Sequence, residues 1–173
     1  MTDPTYLTGM QQDDPGTSAA GLTAAYAAGG DQLHHAVAGL AGDQLTARPV
    51  AGKWSTLEVV AHVADAEVYF ADRILRALAL DKPLLVGVDE GPYPERLHYQ
   101  QLHVADELAL VEALRRRVAG VLRHQPAEAW QRSAVHTEAG LVTVRQLVFQ
   151  AVRHLRHHLP FLAEKRTALG VPA

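Results

Sequence analysis

No cysteine occurs among the 173 residues. Disulfides and thiolate metal sites are thereby excluded, so any transition-metal site must use histidine, carboxylate or water. Aromatic residues are few at 6%, while 48% of the chain is apolar, much of it alanine and leucine. That balance favours helices packed on helices over a sheet. No uninterrupted apolar run approaches membrane-spanning length. No basic run tracks a phosphate backbone, and the formal charge is -3, so neither a membrane nor a nucleic acid is expected as partner. Asp3, Pro4, Asp13, Asp14 and Pro15 frame no apolar core segment, so the N-terminus does not read as a secretory signal. The expected location is cytoplasmic.

What is present is helical pattern. An irregular leader is expected over residues 1–17, followed by a single domain over 18–173, a length that suits one sizeable core. A first helix is expected from Ser18 to Leu40, weakened at Gly29-Gly30, which marks either a bend or a true start near Asp31. The second opens on the capping box Ser55-Thr-Leu-Glu58 and runs to Leu80. A long loop from Pro83 to Pro94 follows, of a length that more often carries function than not. The third helix spans Gln100 to His124, with Arg115, Arg116 and Arg117 read as a solvated face. Pro126 to Trp130 suggests a short helical turn, and Arg132 to Val142 an irregular or extended stretch. The fourth helix opens on Thr143-Val-Arg-Gln146 and runs to Leu169, with Pro160 expected to kink it or remove one backbone bond. Four long helices in one domain make an all-α four-helix bundle.

Two histidines, His154 and His158, lie one turn apart on the fourth helix. At about 100° per residue both fall within about 20° of Leu147, on the stripe that buries Leu147, Ala151 and Leu162. His157 is about 80° off that axis and is a flanking residue. On the second helix, His62 shares a face with Val59, Ala66 and Tyr69. Burying imidazoles in apolar stripes is costly unless each finds a partner, and a metal ion would partner all three. A His-x-x-x-His pair alone more often marks a solvated or structural face. The inward direction of all three residues makes metal binding the sharper expectation, with a fourth position open to water or substrate. Asp65 and Glu67 follow His62 within two turns. Asp65 could orient an imidazole and Glu67 could serve as acid/base. His34, His35, His98, His103 and His124 are assigned to the surface or to ordinary packing. His136, beside Glu138, could approach the centre from the bundle end.

These residues resemble the DinB/YfiT-like superfamily of metal-binding four-helix bundles. The matching pieces occur in order: Gly52-Lys-Trp-Ser55 leading to Glu58-Val-Val-Ala-His62-Val-Ala-Asp65-Ala-Glu67, then Asp81-Lys-Pro83 with Asp89-Glu90, then His136-Thr-Glu138-Ala-Gly140, then His154-x-x-His157-His158. The resemblance implies a metal triad of His62, His154 and His158 holding divalent zinc or nickel. It points to the YfiT branch, metal-dependent hydrolases similar to bacillithiol S-transferases. Phe161 stands where such members often carry a further histidine, and Ala61 where some carry a paired one.

The leading expectation is a thiol S-transferase. A metal-bound low-molecular-weight thiol would attack a small-molecule electrophile, and the thiol must be a cosubstrate because the chain has none of its own. The alternatives are metal-activated water in a hydrolase and a non-catalytic metal- or ligand-binding bundle. A homodimer through an exposed helix face is compatible with each.

Overall fold

The computed structural model describes residues 11–171; the expectations for residues 1–10 lie outside them. The elements are α1 (Ala19–Ala27), α2 (Gly29–Val37), α3 (Gly42–Thr46), α4 (Thr56–Ala79), β1 (Leu84–Leu85), α5 (Tyr93–Arg96), α6 (Val104–Leu122), β2 (Ser133–His136), β3 (Gly140–Thr143) and α7 (Val144–Ala168). Short 3₁₀ turns occupy Tyr99–Gln101 and Ala127–Gln131. The four walls of the bundle are α1 with α2, then α4, α6 and α7.

The two helices that carry the inward histidines are held at their starts by side chains. Ser55 accepts from the Glu58 N–H at 3.1 Å, and Glu58 accepts from the Ser55 N–H at 2.7 Å. Arg48 donates to both Glu58 oxygens, at 3.0 and 2.5 Å, so the capping carboxylate is itself held. Thr143 and Gln146 cap α7 in the same reciprocal way, at 3.2 and 2.9 Å. Capping of this kind satisfies N–H groups that a helix start leaves unpaired. The regular turns that follow fix where each histidine points. Pro160 lies inside α7, yet the helix continues to Ala168; the ring costs one backbone hydrogen bond without ending the element.

The buried apolar residues divide into two clusters along these helices. Val59, Val60 and Val63 of α4 join Leu155 and Leu162 of α7, with Leu33 and Val111. Further along α4, Ala66, Phe70 and Ile74 join Leu147, Val148 and Ala151 of α7, with Tyr26 and Trp130. The stripe expected from Leu147, Ala151 and Leu162 is buried.

The structure refines or overturns four expectations. The first helix breaks at Ala28 and resumes at Gly29, which is the break expected beside Gly29-Gly30 rather than a start near Asp31. A Cβ on Gly29 would meet the Arg115 guanidinium at 1.9 Å, so this glycine makes room for a buried arginine. Arg115 therefore leaves the solvated face assigned to it: it is 2% exposed, whereas Arg116 and Arg117 are exposed. It shares its side of α6 with buried Val111, Val118 and Leu122, a spacing the sequence already displayed. Finally, the segments read as loop and extended chain form a small sheet of order β1-β2-β3. Leu84 and Leu85 pair in parallel with Val135 and His136, and β2 pairs antiparallel with β3. The third helix starts at Val104 rather than Gln100.

Candidate metal centre

His62 on α4 and His154 and His158 on α7 converge, with one nitrogen from each lying within 4.8 Å of the others. The Nε2 atom of His154 is 3.2 Å from Nε2 of His62 and 3.2 Å from Nε2 of His158. Two nitrogens bound at about 2.0–2.1 Å to one tetrahedral ion would stand about 3.3 Å apart. The donor set and spacing thus fit a small divalent ion.

The surroundings keep all three rings neutral. Burial lowers the pKa of His62 to about 4, with His157 adding to the effect. Burial, then His62 and His157, lower that of His158 to about 3. His154 is held well below the ordinary imidazole range by burial and by His158 and His62. Neutral imidazoles keep a lone pair each, the form in which histidine binds metal. Phe70 packs against the ring of His154 at 5.6 Å between centroids, and Trp54 meets the ring of His62 edge-on at 5.3 Å.

The carboxylate against this centre is Glu90. Its Oε2 lies 3.2 Å from Nδ1 of His62, which places the proton on Nδ1 and turns the Nε2 lone pair toward the other two histidines. Burial raises the Glu90 pKa to about 7, opposed by Arg73 and reinforced by Asp65 and Asp89. The segment that delivers Glu90 is anchored on both sides. The Val135 N–H donates to Pro83 O at 3.0 Å and the Thr137 N–H to Leu85 O at 2.9 Å. Arg73 donates to Val86 O at 2.9 Å, and the Gly87 N–H donates to Thr137 Oγ1 at 2.9 Å. The 83–94 segment was expected to carry function, and it supplies this contact.

The two carboxylates singled out by their closeness to His62 in sequence are engaged elsewhere. Glu67 is 1% exposed, and its two oxygens take Tyr26 and Arg115, the latter at 2.7 Å. Arg115 also donates to Tyr26 O at 3.0 Å and Ala151 O at 3.1 Å, and its guanidinium lies 4.8 Å over the Tyr26 ring. A carboxylate so committed supports the core, and the expected acid/base position does not follow from its place. Asp65 accepts a hydrogen bond from the Tyr99 hydroxyl rather than from an imidazole. His136 is buried, with Nδ1 accepting from the N–H groups of Glu138 and Ala139 at 3.2 and 3.3 Å. It closes the β2–β3 turn and does not join the three histidines. His157 is exposed and meets the rings of His158 and Phe161 edge-on at 5.2 and 5.0 Å. His34, His35, His98, His103 and His124 are exposed, as expected.

A helical bundle with two inward histidines on its last helix and a third on an antecedent one defines a class of metal-centre scaffold. The family model described as the DinB superfamily matches residues 25–162, and the chain belongs to that superfamily. A protein of Oceanobacillus iheyensis that carries the name of a metal-dependent hydrolase is 28% identical over 127 residues, 73% of each chain. Another so named, from Geobacillus thermodenitrificans, is 32% identical over 102 residues, 59% of this chain and 57% of that one. The solved structure of YfiT from Bacillus subtilis, described as having an unusual four-helix bundle topology, superposes with a TM-score of 0.80 at 22% identity, covering 87% of both chains. A mycothiol-dependent maleylpyruvate isomerase shares the fold with a TM-score of 0.68 at 14% identity, over 85% of this chain and 61% of that one.

Proposed function

We propose that this chain is a divalent-metal-dependent enzyme, with zinc or nickel held by His62, His154 and His158 and a small electrophilic molecule as substrate. The observation that carries the reading is the convergence of three neutral ring nitrogens from two capped helices. A divalent ion bound there supplies a positive charge that lowers the pKa of a coordinated water or thiol. The chain's own part is to present the lone pairs, hold their geometry and exclude bulk water. Glu90 fixes the His62 tautomer, and Phe70 and Trp54 cover ring faces and edges. The acid/base role expected of Glu67 passes to Glu90, the carboxylate that touches the centre and whose pKa lies near neutrality.

Hydrolysis is the first reading of the chemistry, supported by the names that the similar proteins carry. Transfer of a low-molecular-weight thiol is the second. It is favoured by a donor set without carboxylate or thiolate, which leaves the ion its full charge, and by a chain with no cysteine to serve as internal nucleophile.

Metal analysis of the purified full chain after exposure to zinc or nickel tests the centre. About one ion per chain is expected for the native protein, and a loss of about a hundredfold or more in affinity for His158→Ala. A chain that takes up no stoichiometric metal sinks the proposal. With metal bound, ester and amide hydrolysis assays and thiol-conjugation assays separate the two chemistries.

A further inference from the structure

Next to the centre, and separated from it by the indole of Trp54, a groove of about 700 Å³ runs between residues 48–54 and residues 91–101. Its volume lies within the usual range for small-molecule sites. Trp54 forms part of the wall and is 36% exposed, although its ring edge meets His62. An accessible indole that contacts a ligand candidate on one side and a groove on the other is a natural platform for a flat group. Gly91, immediately after Glu90 in sequence, also lines the groove.

Charge selects what fits. Arg48 and Glu58 are in the lining and neutralise one another at 2.5 Å. Lys53 pairs with no carboxylate among the described residues. Its ammonium lies 6.0 Å over the ring of Phe161, which in turn packs on His158 at 5.8 Å. Glu95 and His98 stand on the facing wall, and His98 holds a left-handed backbone at φ 52°. Such a conformation is uncommon for a non-glycine residue and concentrates at sites of function. A cation with no carboxylate partner among the described residues, beside an exposed indole, suits an organic anion with a flat portion.

We propose that this groove seats the non-reacting part of the substrate: a carboxylate-bearing small molecule whose flat portion lies on Trp54 and whose charge pairs with Lys53. Its reactive end then extends past the indole toward His62. The assignment rests on reading the centre as that of an enzyme, but the groove is formed by residues that need no metal, so the two can be tested apart.

The chain has two tryptophans, and Trp130 is buried, so quenching by an added ligand reports on Trp54. The metal-free full chain is titrated with benzoate and, separately, with the uncharged benzamide. Saturable quenching by benzoate is expected, weaker by about fivefold for benzamide and for Lys53→Met, and stronger by about twofold for Glu95→Gln, which removes a repelling charge. Both substituted residues are exposed, and circular dichroism verifies that each variant folds. Absence of saturable quenching, or benzoate binding unaltered in Lys53→Met, overturns the proposal. Zinc uptake is measured on the same samples. Failure to bind zinc with benzoate binding intact discards the metal centre and leaves the groove assignment standing as an anion site.

Discussion

His62 and Glu67 lie on the same helix, α4, five residues apart, and both are buried. Glu67 finds everything it needs inside the protein. Its oxygens take Arg115 and Tyr26, and Arg115 spends further N–H groups on the backbone of α1 and α7. Apart from the contact of His62 Nδ1 with Glu90, the ring nitrogens of His62, His154 and His158 find only one another among the described residues. Nε2 of His154 lies 3.2 Å from Nε2 of His62 and 3.2 Å from Nε2 of His158, and Nδ1 of His158 is buried with no partner among the described residues. Buried polar groups are normally satisfied, and an exception calls for an explanation. The ion pair closes its own account; the histidines leave room for a guest that shares three lone pairs. The difference teaches that burial of a charged or polar residue is not itself a sign of function. What marks the site is burial without internal completion.

The largest effect that would break this comparison concerns the closed cluster. Arg115→Met should destabilise the metal-free chain by about 3–5 kcal/mol, because it strands a buried carboxylate. Urea unfolding measures the loss, and metal affinity of the folded fraction should change little. If Arg115→Met instead abolished metal uptake in chain that remained folded, the two clusters would be one site.

Acid should act through the open cluster. His62 and His158 have folded pKa values of about 4 and about 3, against 6.5 when unconstrained. Above pH 6.5 neither state takes up protons at these rings. Below it the unfolded chain binds protons that the folded chain refuses. Stability is therefore full above pH 6.5 and falls as the pH drops toward the folded values, by at most about 1.4 kcal/mol per pH unit for each histidine. Urea midpoints of the metal-free chain between about pH 7.5 and pH 5 should show that slope, and His158→Ala should flatten it. A slope that the substitution leaves intact would place the acid sensitivity elsewhere.

The smallest expected effect sharpens the role of Glu90. Glu90→Gln should weaken metal binding by about tenfold, the lower end for a residue that orients a ligand from behind. Competition with a chromogenic chelator measures it. Glu67→Gln should leave the affinity of folded protein unchanged, and equal losses in the two variants would erase the distinction between them.

The helices themselves were plain from local signals. Ser55 with Glu58 and Thr143 with Gln146 announced two starts, and both boxes form as written. The four-residue spacing of His154 and His158 put them on the side of Leu147, and His157 off it. Arg115 was misread because three consecutive arginines suggest solvent, although its spacing from Val111 and Val118 marked it as inward. Closeness in sequence to His62 singles out Glu67 and Asp65, but it carries no information on what other helices bring against them. The small sheet is not legible in the sequence because β1 has only two residues, and its partner lies some fifty residues away, where no short-range pattern reaches.

The sequence by itself determined the capped helices, the inward faces and the dependence of any borderline-metal site on histidine and carboxylate in a chain without cysteine. Those properties follow from spacing along one helix and from side-chain chemistry, both of which are local. Only the tertiary structure decided which carboxylate serves the histidines. Glu67 faces an arginine from α6, Asp65 faces a tyrosine from the turn after α5, and Glu90 arrives from a loop held by the sheet and by Arg73. Each of those meetings depends on the placement of a second element, and hydrogen bonds of 3 Å or so are set by that placement rather than by distance along the chain.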